Sequence, residues 1–168
     1  MKGKSTVRFI VLSSLIAALY VVLTYLSLLL GLAYGGIQFR ISEALNILAA
    51  FTPAAIPGLT IGCFISNIPS PLPTDMIFGT LATFLSAISI RFIARSKIKL
   101  IPFACIFPPA VFNAVLVGLQ ITFFTPEPAT WLGFCISAVS VFIGEAAVGL
   151  LLGVPLYRLC KDKLQNFF

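Results

Sequence analysis

From Phe9 to Leu30 the chain runs without a single charged side chain, and no other feature limits its fold so strictly. At about 1.5 Å of rise per residue, a helix of that length covers roughly 33 Å, a full hydrocarbon core. Backbone N–H and C=O groups in hydrocarbon must be satisfied within the segment, so the run reads as a transmembrane helix from about Val7 to Leu30. The basic start Met1-Lys2-Gly3-Lys4 resembles that of a signal peptide, but the apolar run is too long for a signal-peptide core. Ser13/Ala17 and Ser14/Ala18 form overlapping small pairs four residues apart on this helix, a pattern that lets another helix come close. The partner in that approach is either a sister helix or a separate protein.

The rest of the 168 residues has the same character, with 60% hydrophobic and 10% charged residues. Such a chain has no soluble surface, and residues 1–168 read as one integral membrane domain. The net charge of +6 does not indicate nucleic-acid binding, because the basic residues sit in short clusters beside apolar blocks and suggest no groove. They serve as topology signals. With Lys2, Lys4 and Arg8 inside, a single span over Ile41 to Ile68 would leave Arg91, Arg95, Lys97 and Lys99 outside, against the positive-inside rule.

That block is therefore read as a hairpin of two short helices, about Ile41 to Phe51 and Pro53 to Ile68. Gly58, Gly62 and Ser66 form a smooth ridge on the second. Pro69 to Pro73 stops the helix, and Thr74 and Asp75 read as the cap and acidic first turn of a helix reaching Ala94. A fifth helix starts near Leu100, kinked or late because of Pro102, Pro108 and Pro109, and carries Asn113 and Gln120 on one face. After Thr125-Pro126-Glu127-Pro128, a sixth runs from about Ala129 to Tyr157.

The expected fold is all-α: a bundle of six transmembrane helices with both termini cytoplasmic. Every Lys and Arg except Arg40 then falls on the inner side. The acidic residues other than Asp162 fall in the outer half or near the midplane. Four scattered cysteines and no histidine indicate neither a metal site nor a disulfide framework, so Cys63, Cys105, Cys135 and Cys160 read as small core residues, and no cofactor is expected.

Between the first two apolar blocks lies Gly35-Gly36-Ile37-Gln38-Phe39-Arg40-Ile41-Ser42-Glu43, which gathers an amide, a guanidinium and a carboxylate. A polar hinge at the membrane surface would also look like this. Glu145, deep in an apolar run, argues for more, since a carboxylate at the bilayer centre costs about 2.5–3.5 kcal/mol and needs a partner or a ligand. Asn113, Gln120, Glu43 and Arg40 are its available partners. A carboxylate with Asn and Gln supplies the donors and acceptors that read a purine-like edge. Phe39, Phe112, Phe123, Phe124, Trp131 and Phe134 stand near the same level as stacking candidates.

Three stretches carry a resemblance: Gly36 through Leu45, Ile56-Pro57-Gly58-Leu59-Thr60-Ile61-Gly62-Cys63 with Ser66-Asn67, and Asp75 through Thr83. With Asn113, Gly118-Leu119-Gln120, Gly144-Glu145 and Gly153-Val154-Pro155-Leu156, they are similar to the QueT family. These are queuosine-precursor transporters, the substrate-binding S-components of energy-coupling factor (ECF) transporters. The resemblance implies an outward-facing pocket for a 7-deazaguanine ligand in the bacterial cytoplasmic membrane, using Gln38, Phe39, Arg40, Glu43, Asp75, Asn113, Gln120 and Glu145. Within that reading Glu145, Asn113 and Gln120 bond the guanine-like face. Glu43 or Asp75 meets a cationic aminomethyl group, or Arg40 neutralises Glu43.

The resemblance also implies docking of Ser13, Ser14, Ala17 and Ala18 on a T-component, with two cytoplasmic ATPases supplying energy. The chain has no GxxxxGK[ST] motif of its own, which fits that division. An intramembrane enzyme lacks support, because no nucleophile stands beside a base. A self-sufficient secondary transporter relaying protons through Glu145 is the competing reading.

Overall fold

A computed structural model describes residues 2–32, 38–96, 100–124 and 129–164. The expected roles of Gly35 and Gly36, of Lys97 and Lys99, and of Glu127 lie outside those residues. The described chain is all helical: α1 (Lys2–Leu29), a 3-10 segment (Ile41–Ala50), α2 (Ala55–Ser66), α3 (Asp75–Arg95), α4 (Ile101–Ala104), α5 (Phe107–Phe124), α6 (Trp131–Val148), a π turn (Gly149–Gly153) and α7 (Val154–Leu164). Four stretches are long and apolar enough to cross a membrane: Ser5–Leu29, Asp75–Arg95, Ile101–Phe124 and Trp131–Lys163. The two shorter apolar helices, Ile41–Ala50 and Ala55–Ser66, complete the expected six.

The elements pack one on the next, α1 on α2, α2 on α3, α3 on α5 and α5 on α6, and the 3-10 segment lies against α1, α2, α3, α6, the π turn and α7. The outward faces carry exposed Leu15, Leu19, Val22, Ile136, Val139 and Ile143. An apolar face of that extent is at rest only in hydrocarbon.

Local chemistry explains the breaks. α1 stops at Gly31, the one described residue at positive φ (69°), where the N–H of Leu32 bonds Ser27 O and that of Gly31 bonds Leu28 O, closing the helix end. The expected second helix is a 3-10 helix. Its tighter winding rises about 2.0 Å per residue, so ten residues reach roughly 20 Å where an α-helix would reach about 15 Å. Its C-terminal end receives Arg91 Nη1, which donates to Ala50 O at 3.0 Å.

The prolines act as expected in the fifth span: the single turn of α4 ends at Cys105, and Pro108 and Pro109 fall in the first turn of α5, where a missing N–H does no harm. The sixth span, expected to be continuous, contains the π turn. Pro155 has no N–H for the carbonyl one turn back, and the turn before it widens so that Val154 N–H bonds Gly149 O.

The ridge of Gly58 and Gly62 on α2 receives α1. A Cβ on Gly58 would lie 2.7 Å from Ser13 O, and one on Gly62 2.8 Å from Tyr20 Cβ and 2.9 Å from Ala17 O. Beneath this seam Leu45, Ile47, Leu59, Cys63, Ala87 and Ile90 form the apolar core. Cys105 and Cys160 are also buried, but Cys135 is exposed on α6, so it faces outward instead of filling the core as expected.

Candidate functional site

The centre of the bundle is polar, and α1 is the reason. Tyr20, Thr24 and Ser27 recur at helical spacing on its inner face, each almost fully buried. They meet the start of the 3-10 segment. Tyr20 donates its hydroxyl proton to Glu43 Oε1, Thr24 Oγ1 donates to Ser42 Oγ at 2.8 Å, and the backbone N–H of Ile41 donates to Ser27 Oγ at 2.9 Å. Asn46 Nδ2 donates to Glu43 Oε2 at 2.5 Å. Glu43 is thereby held through both oxygens by neutral donors.

A second group forms where α3 begins. Asp75, 4% exposed, accepts from Gln120 Nε2 at 2.7 Å through Oδ1 and from the Ser70 hydroxyl through Oδ2. Arg40 Nη2 lies 3.7 Å from the same Oδ2. Asn67 Nδ2 donates to Asp75 O at 3.2 Å and approaches Cys63 Sγ at 3.4 Å, and Thr83 Oγ1 reaches that sulfur at 3.3 Å. Gly79 makes room, since a Cβ there would stand 2.9 Å from Asn67 Nδ2 and 3.7 Å from Arg40 Nη1.

The expected cap fails in one respect. Thr74 is already helical (φ −66°, ψ −19°) and makes no side-chain cap bond. The chain is wound before it, with Asp75 N–H on Leu72 O and Met76 N–H on Pro73 O, so backbone carbonyls take the amides a cap would serve.

The third group is open. Asn113 and Gln120 share one buried face of α5, as their spacing requires, and Glu145 of α6 is 8% exposed. Asn113 stands beside Glu43, and Glu145 is within electrostatic reach of Glu43 and Arg40. Five buried amide or carboxylate atoms in these three groups have no hydrogen-bond partner: Asn113 Nδ2, Gln120 Oε1, Glu145 Oε2, Asn46 Oδ1 and Asn67 Oδ1. An unpaired buried polar atom costs about 1–3 kcal/mol, so one donor and four acceptors left open suit a polar ligand better than a closed core.

The structure therefore brings Arg40, Glu43, Asp75, Asn113, Gln120 and Glu145 into one network across the 3-10 segment, α3, α5 and α6. Gln38 and Phe39 are half-buried on the extended approach to it, where Phe39 N–H bonds Leu32 O at 2.8 Å. Of the other aromatic candidates, Phe112 and Phe134 are half-buried, whereas Phe123, Phe124 and Trp131 are exposed. Trp131, 84% exposed, has the placement of an interfacial anchor. Among the described residues no group of three or more His, Cys, Asp or Glu side chains is placed to hold a metal.

Sequence reasoning missed Tyr20, Thr24, Ser27, Asn46 and Asn67. The first three had a visible signal, a polar stripe at helical period inside an apolar block. Asn46 had one as well, lying three residues beyond Glu43 on the same segment.

The small residues of α1 divide between two surroundings. Ser13 and Ala17 are buried against α2, while Ser14 and Ala18 are exposed. All four line an apolar groove of about 700 Å³ between α1 and α2, with Ile61 and Ile65 on its far wall.

Comparison with known proteins gives a profile match over residues 10–162 to the family described as QueT transporter. The queuosine precursor transporter QueT of Lactococcus lactis subsp. cremoris (strain MG1363) is 46% identical over 82 residues, 49% of this chain. That alignment spans 48% of the relative, about half its length. No solved structure matches.

Proposed function

The chain belongs to the QueT transporter family, and from that premise we propose that it binds a queuosine precursor of the 7-deazaguanine type for import. It acts as the S-component of an ECF transporter in the bacterial cytoplasmic membrane. The observation that carries the ligand class is the set of open buried atoms: the donor Asn113 Nδ2 and the acceptors Glu145 Oε2 and Gln120 Oε1. A 7-deazaguanine presents a ring N–H and an exocyclic amine side by side, with a carbonyl adjacent. Glu145 accepts from the two donors, Asn113 donates to the carbonyl, and Gln120 supplies a further acceptor. Phe39 and Gln38 cover the ring from the approach loop.

The partner assignment rests on α1. Its exposed Ser14 and Ala18 open a groove in which the helix of a T-component packs closely, and two cytoplasmic ATPases drive the cycle. The basic ends carrying Arg8, Arg95, Arg158 and Lys161 face the cytoplasm, and the end carrying Arg40 and Asp75 faces outward. Cysteine labelling at the exposed Pro71 (Pro71→Cys), which leaves the Ser70–Asp75 bond in place, succeeds from outside in this orientation. Labelling only from the cytoplasm reverses it.

The deciding experiment is uptake of the 7-aminomethyl base by cells expressing the chain with and without a T-component and ATPases. Uptake only in their presence is expected. Uptake by the chain alone would replace the S-component reading with a secondary transporter.

A further inference from the structure

Away from the polar centre, the end of the bundle that carries Arg95, Arg158 and Lys161 holds a second cavity. There α4 meets α7 and leaves a cleft of about 360 Å³ lined by Ile101, Pro102, Tyr157, Arg158, Lys161 and Asp162. Its back wall is fixed, since the half-buried Tyr157 ring packs on Phe51 with centroids 4.9 Å apart, and Ile101 and Tyr157 both lean on the apolar core. Its rim is charged. Arg158 and Lys161 are three residues apart on α7, so they stand on one side of that helix, and both are exposed. Asp162 shares the rim, but among the described residues it forms no ion pair with either of them. The two cations are thus open to an anion, and the carboxylate is open to a hydroxyl donor.

Deeper along the same elements lies an apolar groove. Phe103 of α4 and Phe107 of α5 face Phe142 of α6 and Leu150 of the π turn across about 250 Å³. The two walls meet closely, because a Cβ on Gly149 would stand 2.8 Å from Ile106 Cγ2. The short helix α4 borders both spaces, with Ile101 and Pro102 on the cleft and Phe103 on the groove. Leu150 precedes Tyr157 by seven residues, about 10 Å along a helix axis. The apolar stretch Trp131–Lys163 ends beside the cleft. The groove therefore lies at hydrocarbon depth when the cleft lies among the headgroups, whichever side of the membrane this end occupies.

We propose that this pair of spaces is a binding site for one anionic phospholipid. Its phosphate sits on Arg158 and Lys161, a headgroup hydroxyl donates to Asp162, and an acyl chain fills the groove between Phe103 and Leu150. A topology signal accounts for two cations at this end, but not for a cleft between two helices that continues into an apolar slot. A soluble anion would use the rim and leave the slot empty, whereas an amphipathic molecule matches both. The inference is independent of which solute the polar centre carries.

The test is native mass spectrometry of the purified, delipidated full chain offered equal amounts of dioleoyl-phosphatidylglycerol and dioleoyl-phosphatidylcholine. Wild type is expected to retain the glycerol lipid with a preference of about tenfold or more, since each basic residue near an anionic headgroup contributes roughly fivefold. The double variant Arg158→Gln/Lys161→Gln should bring the ratio close to one with an unchanged melting temperature, both side chains being exposed. Arg95→Gln, which removes an exposed cation at the same end but outside the cleft, should keep the wild-type ratio. Equal retention of the two lipids by wild type overturns the site, and an equal fall in Arg95→Gln does so too, by reducing it to general surface charge. Displacement of the lipid by equimolar glycerol phosphate would make the ligand a soluble phosphate, against the proposal. A double variant that keeps the lipid ratio but loses transport would assign these cations to a protein partner, and that also overturns it.

Discussion

The α1–α2 seam and the polar seam between α1 and the Ile41–Ala50 segment use one helix at one spacing for opposite purposes. In the first, Ser13 and Ala17 meet Gly58 and Gly62, and contact depends on the absence of volume, with one hydrogen bond, from Ser13 Oγ to Ala54 O at 3.0 Å, at the start of α2. In the second, Tyr20, Thr24 and Ser27 meet Glu43, Ser42 and the Ile41 amide, and contact depends on the presence of hydrogen-bonding atoms. Lipid tails are as apolar as leucine, so burial alone does not drive helices together in a membrane, and close packing and hydrogen bonds remain. Around Ala17 and Gly62 the first seam should tolerate polarity changes but not bulk, and the second the reverse.

Adding bulk to the close-packed seam should give the largest effect. Gly62→Leu puts a Cβ where Tyr20 Cβ and Ala17 O would be 2.8 and 2.9 Å away, both parts of α1 with little room to yield. Overpacking typically costs about 1–3 kcal/mol, and here it also displaces the residue that holds Glu43. Thermal unfolding in detergent should show a marked loss of stability, with ligand binding lost as well. A variant with wild-type melting and binding would mean that α1 and α2 are not held by close approach.

Next in size is a change of charge at constant shape. Glu145→Gln should weaken binding of the 7-aminomethyl base by on the order of a hundredfold, since charge-assisted bonds to the ring donors are lost. Its melting temperature should hold or rise, because neutralising an intramembrane acid relieves an insertion cost. Normal binding by this variant would move ring recognition off α6.

How much of this was legible depends on what each feature rests on. The spans, the hairpin, the ridge of Gly58 and Gly62 and the shared face of Asn113 and Gln120 follow from period, length and charge, which a sequence carries directly. The 3-10 winding of Ile41–Ala50 does not, because its apolar spacing fits an α-helix equally well and only the packed structure decides between the two. The Arg40–Asp75 pair was hidden for a related reason. Arg40 lies three residues from Glu43 in the chain, but the space over Gly79 draws its guanidinium toward α3. Thr74 misled because its capping chemistry was right and its backbone was already helical.

Removing one donor from the polar seam should cost less than removing the charge it serves. Tyr20→Phe keeps the ring in the core and deletes the hydroxyl that donates to Glu43 Oε1. A buried acceptor left without a donor costs about 1–3 kcal/mol, so binding of the 7-aminomethyl base should fall roughly tenfold with a small drop in melting temperature. No change in either would show that Asn46 alone is enough to hold Glu43.

The smallest effect on binding should come from the outer side of α1, and it tests whether the two small pairs of that helix have separate roles. Ala17 is 8% exposed and lies against α2, while Ala18, one residue on, is exposed along the groove. Ala17→Leu forces bulk into the seam beside Gly62, so stability and binding should fall together. Ala18→Leu adds its methyl groups to a face already apolar and open, where a surface change usually stays within about 0.5 kcal/mol. Ligand affinity should then remain within about twofold of wild type. Transport with the T-component and ATPases should nonetheless drop sharply, because a docking helix can approach α1 closely only while small side chains line the groove. Transport at wild-type rate in Ala18→Leu would remove the docking role from this face and leave α1 with an internal seam alone.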